Sequence, residues 1–391
     1  MMIPTLLALV LTVTNPHDDG AGSLRDAIER ANALCAAEEC RIEFRIPATT
    51  PWTTIRPQRP LPPLLARSIT IDGNTQTAFA GDTNPDGPEL EVNGSLLTEG
   101  SGLEFARCSG AVYGMAINGF PANGITVGGP DCTAPSGALG GNYIGTDPTG
   151  TRAVPNMRGV WLDTRAGDIY WHWQLGGNVI SGNTASGIFV ASGPQLIRGN
   201  VIGLTAKHDA PLGNGASGVA ILAKGSGTDV EDNYIGFNHH FGVAIGRGAQ
   251  KVAMHGNSFQ ANWQLAIDWD MDGVSPANVV NIPTITSVTY ADGVTTIVGT
   301  TSGDMGLFPR MSFYANDAPD PSGYGEGQYF LGWVHRASDG TYTLRVEGDL
   351  RGKWIATTAT YVFFYGFIRT NGEFQGFITA TSEFSRAVEV R

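Results

Sequence analysis

Three carboxylates at alternate positions, Asp268, Asp270 and Asp272, stand out in the stretch "AIDWDMDG". If Asp268 and Asp270 lie on one strand, their side chains share a face about 7 Å apart, because a strand rises by about 3.3 Å per residue. That separation is near the one between the acid and the base of inverting glycoside hydrolases. We therefore predict a catalytic pair in which one carboxyl is kept protonated by its neighbour's charge and the apolar surroundings of Trp269, while the other activates water.

The same stretch fits a second chemistry. Carboxylates at alternate positions followed by Gly273 form the start of a calcium loop of the D-x-D-x-D-G type. The bidentate glutamate expected further along such a loop is missing. Calcium held by Asp268, Asp270 and Asp272 is therefore an alternative to the catalytic pair, and no other cofactor is indicated. A structural turn with solvated carboxylates is the commonest explanation of such a spacing.

Two adjacent histidines precede this stretch. His239 and His240 lie 24 residues before Trp263 and Gln264, which is one unit of the chain's repeat and would place them beside the carboxylates. We predict His240 as a candidate general acid or base near neutral pH. Adjacent histidines on a strand point in opposite directions, and no Cys/His set has zinc spacing, so ordinary surface histidines are the alternative.

A Gly-Asn-x-Ile phrase recurs through the middle of the chain, with its asparagines spaced by 36, 22, 33 and 24 residues. The two longer intervals contain the similar stretches "TDPTGTRAVPN" and "LTAKHDAPLGN". A unit of about 22 to 24 residues, made of short strands and Asn/Gly turns, is typical of one coil of a parallel β-helix. We predict that the repeated asparagines form a hydrogen-bonded ladder at one turn. They are Asn142, Asn178, Asn200, Asn233 and Asn257.

A second phrase, Gly-[Ile/Val]-x-[Ile/Val/Leu], predicts which side chains face outward, because its two branched aliphatics must point into the core. One outward column is Thr126, Trp161, Phe189, Ala220, Ala244 and Asp268, and the column two residues further on is Gly128, Asp163, Ala191, Leu222, Gly246 and Asp270. Aromatic faces stack on sugar rings. We therefore predict a saccharide-binding surface formed by Trp161, Asp163, Trp171, Trp173, Phe189 and Trp263. The alternative is that the insertions or the C-terminal part cover this strip as ordinary packing.

Different patterns flank the repeats. Residues 23–34 predict a short amphipathic helix with Ser23 as its N-cap, able to cover one open end of the coils. After Pro283, about seven alternating strands predict an antiparallel, immunoglobulin-like β-sandwich. The predicted domains are an N-terminal strand and helix cap at 1–68, a parallel β-helix at 69–282 and a β-sandwich at 283–391.

The charge balance restricts the partners. Twenty-four Lys and Arg against 36 Asp and Glu give a formal charge of −12, which should repel nucleic acid and anionic membranes. The same charge weighs modestly against a strongly anionic polysaccharide. No nucleic-acid partner is expected.

The cysteines and the N-terminus bear on location. The four cysteines preferentially pair as Cys35 with Cys40 and Cys108 with Cys132 in an oxidising compartment, with other pairings or free buried thiols as alternatives. The start, "MMIPTLLALVL", has the length of a signal-peptide apolar core but lacks the basic leader and a small-residue cleavage site. No other run approaches the length of a membrane helix, so we expect no membrane span.

Five phrases are spread over nearly the whole chain: "LTVTNPHDDGAGSLRDAIERAN", "ITIDGNTQ", "GNYIGTDPTGT", "NVISGN" and "TATSEFSRAVEV". Through these phrases the chain resembles a family of bacterial secreted or surface proteins with a right-handed parallel β-helix. This resemblance implies an all-β, pectate-lyase-like right-handed β-helix with a C-terminal β-sandwich, and a secreted or cell-surface location. It implies little about activity, because the wider class holds lyases, hydrolases, epimerases and adhesins.

From these observations we favour a carbohydrate-active enzyme of the glycoside hydrolase kind, with a polysaccharide or other glycan bound along the outer sheet. A polysaccharide lyase is an alternative, because Lys224, Arg247 and Lys251 follow consecutive strands and could form a small basic edge. A non-enzymatic surface or adhesion protein, in which the coils are a spacer, is the alternative from another class.

Overall fold

A computed structural model describes residues 9–35, 38–47, 51–164, 172–274, 281–302, 309–368 and 374–391, those from 362 to 379 by their backbone alone. Three parallel sheets run along the described chain up to residue 269, because each coil from residue 68 onward contributes one short strand to each sheet. This arrangement confirms the predicted all-β parallel β-helix.

The strands of each sheet follow one another in chain order. Sheet A contains Leu9–Val13, Glu39–Phe44, Ser68–Asp72, Ser109–Tyr113, Ser136–Gly140, Trp173–Gly176, Gln195–Arg198, Asp229–Glu231 and Ala253–His255. Sheet B contains Thr53–Ile55, Leu90–Asn93, Ala116–Asn118, Tyr143–Ile144, Val179–Ile180, Val201–Ile202, Tyr234–Gly236 and Ser258–Gln260. Sheet C contains Leu103–Phe105, Asn123–Gly128, Arg158–Asp163, Ile188–Ser192, Val219–Ile221, Val243–Ile245 and Ile267–Trp269.

Asparagines form a hydrogen-bonded ladder at the turn between sheets A and B. The backbone and side-chain amides of Asn142 both donate to Oδ1 of Asn178, each at 3.0 Å, and the same pattern continues through Asn200, Asn233 and Asn257. These side chains are buried, so each bond satisfies groups that water cannot reach. The predicted ladder is confirmed.

A second asparagine ladder lies at the turn between sheets B and C. It was not predicted from the sequence. It runs through Asn156, Asn183, Asn214, Asn238 and Asn262, each side-chain amide donating to Oδ1 of the next residue. Its last rung, Asn262, lies beside the C-terminal module.

The two insertions in the repeat, "TDPTGTRAVPN" and "LTAKHDAPLGN", cover sheet B and not sheet C. Leu204 packs with Val179 and Val201 on the outer face of sheet B, and the amide of Ala206 donates to the carbonyl of Gly150 at 3.0 Å, which joins one insertion to the other. The outer face of sheet C is therefore left open by the insertions.

The parallel sheets begin before residue 69, which changes the predicted N-terminal boundary. Leu9–Val13 and Glu39–Phe44 already pair in sheet A, and Thr53–Ile55 pairs in sheet B. These strands lack the Gly-Asn phrase but have the alternating apolar pattern that a coil strand needs. The helix Leu24–Leu34 packs against the first two of them, with Ser23 accepting from the Asp26 amide.

The coils also contain a second helix, a 3-10 turn and two disulfides. A second helix spans Asn74–Ala80 and a 3-10 turn spans Ala223–Gly225. Disulfides join Cys35 to Cys40 and Cys108 to Cys132, the preferred pairing. None of the described helices is long and apolar enough to cross a membrane.

Two antiparallel sheets form the C-terminal module. One contains Thr284–Ala291, Val294–Thr300 and Thr341–Glu347, and the other contains Arg310–Asn316, Tyr329–His335, Trp354–Ile368, Phe374–Thr381 and Val388–Glu389. The module closes the end of the coils: the Trp269 indole donates to the Thr381 carbonyl at 2.8 Å, and the Phe259 amide donates to the Gly327 carbonyl at 2.9 Å. This junction fixes the last coil against the module.

Candidate functional site

Asp268 lies on the last strand of sheet C, in register with Ala244. The full outward column pairs coil to coil as predicted, from Thr126 to Asp268. Asp268 itself is buried and accepts hydrogen bonds from the amides of Asp272 at 3.2 Å and Gly273 at 3.1 Å. Burial raises the pKa of its carboxyl to about 6, even though these bonds favour the ionised form.

Asp270 does not share a strand face with Asp268, which corrects the geometric basis of the predicted pair. The strand ends at Trp269, and Asp270 takes a left-handed backbone conformation with φ 65°. The regular alternation of a strand stops there, so the spacing of about 7 Å no longer follows. The geometric reason for predicting Asp270 as a catalytic residue therefore no longer holds.

The expected calcium loop is not formed either. Among the described residues, which include Asp268, Asp270 and Asp272, no group of three or more His, Cys, Asp or Glu comes together as a metal site. Asp268 uses its oxygens to cap the turn that follows it. Asp268 therefore stabilises a turn, and the three carboxylates do not converge on one point.

Of the two histidines, His239 rather than His240 contacts an aromatic residue. His239 stacks on Trp263 with ring centroids 4.3 Å apart and planes 15° from parallel. His240 is exposed, and its carbonyl accepts from the Gln264 amide at 3.1 Å. Trp263 is 72% exposed. Because His239 belongs to the preceding coil, the free face of the indole is turned towards the C-terminal module.

A groove of about 850 Å³ lies between the last coil and the C-terminal module, and we call it the junction groove. Its apolar lining includes Phe241, Phe259, Trp263 and Leu265 from the coils, and Pro319 and Pro321 from the module. Four carboxyl residues also line it: Asp268, Asp317, Asp320 and Glu326. His240 and Asp270 are not among the lining residues that the structure describes.

Glu326 is the functional candidate that the sequence analysis missed. Both its carboxylate oxygens are shielded from solvent, and neither meets the geometry of a hydrogen bond among the described residues. Burial and the charge of Asp320 raise the pKa of Glu326 to about 8, while the nearby amides of Ala261 and Asn262 lower it only in part. The sole sequence signal was an acidic residue in the Pro- and Gly-rich stretch "PDPSGYGEG".

Trp161 and Phe189 form an aromatic pair further back on sheet C. Their rings stack at 4.6 Å and 8°, and the Arg158 guanidinium lies 5.0 Å and 5.1 Å from the two centroids. Each ring covers one face of the other, so less aromatic surface is left for a sugar than predicted. Exposed Asp163 accepts from the Ser192 hydroxyl at 2.6 Å. A bulge pairs it with Ser192 instead of Ala191, which corrects the second predicted column.

Trp173 is a core residue, not a surface platform. It begins a strand of sheet A, is fully buried, packs edge-on against Phe105 at 5.0 Å, and donates its indole N–H to the Cys108 carbonyl at 3.0 Å. Its ring fills the space beside Gly137 in the preceding coil, where a Cβ would come within 2.5 Å of the indole. Trp171, also predicted to bind substrate, lies outside the described residues.

Comparison with known proteins bears on the fold. Residues 158–303 match the family model described as a right handed beta helix region. The enzymatically active domain of Bacteriophage CBA120 tailspike protein 2 is similar at 10% sequence identity and a TM-score of 0.26, over 95% of this chain and 76% of that one. No curated protein matches the chain. The matched region and the three parallel sheets show that the coils have the right-handed parallel β-helix fold.

Proposed function

We propose that the protein is a glycan-acting enzyme that holds an uncharged polysaccharide in the junction groove and hydrolyses it. The observation that carries the proposal is Trp263, which is 72% exposed, braced on one face by His239 and placed in a groove that also contains carboxyl groups. An exposed, braced indole beside polar groups suits a sugar, because sugar rings have apolar C–H faces and hydroxyl edges.

Sheet C can extend the binding surface. Phe189 stands three coils before Asp268 in the same outward column, which is about 14 Å at the usual strand spacing. A glycan that leaves the groove along sheet C would reach Phe189 and then Trp161. We expect these residues to contribute less than Trp263, since they stack on each other.

Hydrolysis is favoured over elimination by the side chains at hand. An eliminating lyase needs a basic residue to remove a proton and cations to hold a uronate. Lys224, Arg247 and Lys251, the candidates for those roles, do not line the junction groove as far as it is described. We also propose a secreted or cell-surface location, for which the two disulfides are typical.

The test is a polysaccharide panel with two tryptophan variants. We expect the wild type to release reducing ends from at least one uncharged glycan, and Trp263→Ala to bind that glycan about tenfold more weakly, since ring stacking contributes roughly 1.5 kcal/mol. Trp333→Ala is the matched control, because Trp333 is 46% exposed but does not line the groove.

Each other outcome has a clear meaning. Equal affinity of the Trp263→Ala variant and the wild type would remove the groove as the binding site. Binding without any product would favour the surface or adhesion protein, and products that absorb as unsaturated sugars would favour a lyase.

A further inference from the structure

We propose that a second glycan-binding site lies on the outer face of sheet A, in a groove of about 650 Å³ that we call the sheet A groove. Its floor is formed by the strands Ser68–Asp72, Ser109–Tyr113 and Ser136–Gly140. The site binds an uncharged oligosaccharide and takes no part in cleaving it. The inference goes beyond the proposed function, because it needs no reaction in the junction groove.

Small outward side chains on three neighbouring strands create the groove. In one row across sheet A, the residues in register are Arg41, Thr70, Ala111, Ala138 and Gln174. The three in the middle are small and the two at the ends are large, so the surface dips between them. The row beside it dips as well, because Ser109 pairs with Ser136. The outer two floor strands are about 10 Å apart at the usual strand spacing.

Both disulfides hold the sides of the groove. The Cys35–Cys40 disulfide closes the short segment that carries the lining residue Glu39. On the other side, Ala134 lies between two points that are fixed to Cys108: Cys132 through the second disulfide, and Ser136 through its amide, which donates to the Cys108 carbonyl at 3.0 Å. Sides that are fixed before the ligand arrives lose little conformational entropy on binding.

The groove presents hydroxyl groups to a ligand. Four of them belong to Ser68, Thr70, Ser109 and Ser136. None of these four side chains has a hydrogen-bond partner among the described residues. Because a hydroxyl can both donate and accept, a row of free hydroxyls suits the hydroxyl groups of a sugar.

An aromatic ring lies at one side of the same floor. Tyr113 is half-buried, and its ring lies over Gly140 of the next strand, where a Cβ would come within 2.9 Å of the ring. The absence of a side chain at Gly140 therefore makes room for the ring. Hydroxyls beside an aromatic ring match the polar edge and the apolar C–H face of a sugar.

Other classes of ligand fit the groove less well. An extended peptide adds to a sheet at a free edge strand, but each floor strand already pairs with a neighbour on both sides. The charged lining residues Glu38, Glu39 and Arg67 include both signs, so a strongly charged polymer gains little there. An uncharged sugar chain remains the best match.

The sheet A groove is separate from the junction groove. Four more strands of sheet A follow Ser136–Gly140, the last of them Ala253–His255, so the two grooves are roughly 19 Å apart along the coils. A long glycan bound in the sheet A groove stays close to the junction groove, which raises its effective concentration there.

The experiment uses calorimetric titration with three uncharged hexasaccharides: maltohexaose, cellohexaose and mannohexaose. Trp263→Ala weakens the junction groove, so binding that remains in this variant reports the sheet A groove. We expect the wild type to bind two molecules of at least one hexasaccharide, and Trp263→Ala to keep one of the two sites unchanged. Adding Ser136→Trp, which fills the sheet A groove from an exposed position, should abolish the remaining binding. Adding Tyr113→Ala instead should weaken it about threefold to tenfold.

Ser338→Trp is the matched control, because Ser338 is an exposed serine in a turn of the C-terminal module and is not among the described lining residues of either groove. It should leave both sites unchanged, and circular dichroism shows whether each variant keeps its β-structure. Tyr113→Ala provides the test on its own if Ser136→Trp does not fold.

The outcomes separate the two proposals. Loss of all binding in Trp263→Ala, or remaining binding that survives both Ser136→Trp and Tyr113→Ala, would overturn the sheet A site and leave the proposed function standing. Binding that Trp263→Ala leaves intact and Ser136→Trp abolishes would support the sheet A site and remove the junction groove as a binding site. A wild type that binds none of the hexasaccharides would overturn both.

Discussion

Two tryptophans, Trp173 and Trp263, show how position within a coil decides the role of a side chain. Trp173 occupies an inward position beside Gly137, so the indole completes the core. Trp263 follows the last rung of the second ladder, in a turn with no later coil above it, so one indole face stays free. Residue type alone predicted a binding role for both, and only the packing separates them.

Glu326 should also leave a signature in stability. Its pKa is raised from 4.5 to about 8 in the folded protein, so the folded state binds more protons than the unfolded state between those values. Its unfavourable contribution is therefore full above about pH 8, decreases as the pH falls and disappears below about pH 4.5.

We expect Glu326→Gln, which stays uncharged, to be more stable than the wild type above pH 8 and to lose that advantage as the pH falls to 4.5. Urea denaturation of both proteins across this range measures the difference. Parallel stability profiles for the two proteins would show that the carboxyl is not held in a desolvated state.

At the scale of the element, the asparagine ladders tie coil to coil. Asn200 is fully buried; its Oδ1 accepts from two amides of Asn178, and its side-chain amide donates to Asn233 and to the Leu175 carbonyl. We expect Asn200→Ala to lower the free energy of unfolding by roughly 2–4 kcal/mol, because several buried groups lose their partners.

Exposed Gln250 provides the control for this change, and Gln250→Ala should change the free energy of unfolding by less than about 0.5 kcal/mol. Both values come from urea denaturation. Similar values for the two variants would mean that water replaces the lost bonds and that the ladder adds little.

The same periodicity explains which parts of the structure were predictable. The outward column from Thr126 to Asp268 and the first ladder follow from repeat spacing, because parallel in-register strands leave little freedom. The strand end at Trp269 and the left-handed turn at Asp270 were not predictable, because the repeat stops there. Glu326 comes from a segment without repeats and reaches the site only through the packing of the module on the last coil.

For the whole molecule, charge and groove lining point to the same choice of ligand. The formal charge is −12, and four carboxyl residues but no Lys, Arg or His are among the described lining residues of the junction groove. A polyuronate would meet repulsion over distances that salt screens, about 30 Å at 0.01 M and about 8 Å at 0.15 M ionic strength. An uncharged glycan would not.

A matched pair of ligands tests this argument: polygalacturonate, and the galactan obtained from it by reducing its carboxyl groups. We expect the affinity for the galactan to change little between 0.01 M and 0.5 M salt, and the weaker affinity for polygalacturonate to rise with salt as the repulsion is screened. Calorimetric titration at several salt concentrations measures both. Tighter binding of polygalacturonate at low salt would instead indicate a basic site such as the edge formed by Lys224, Arg247 and Lys251. Elimination would then be the better explanation of how the protein acts on its glycan.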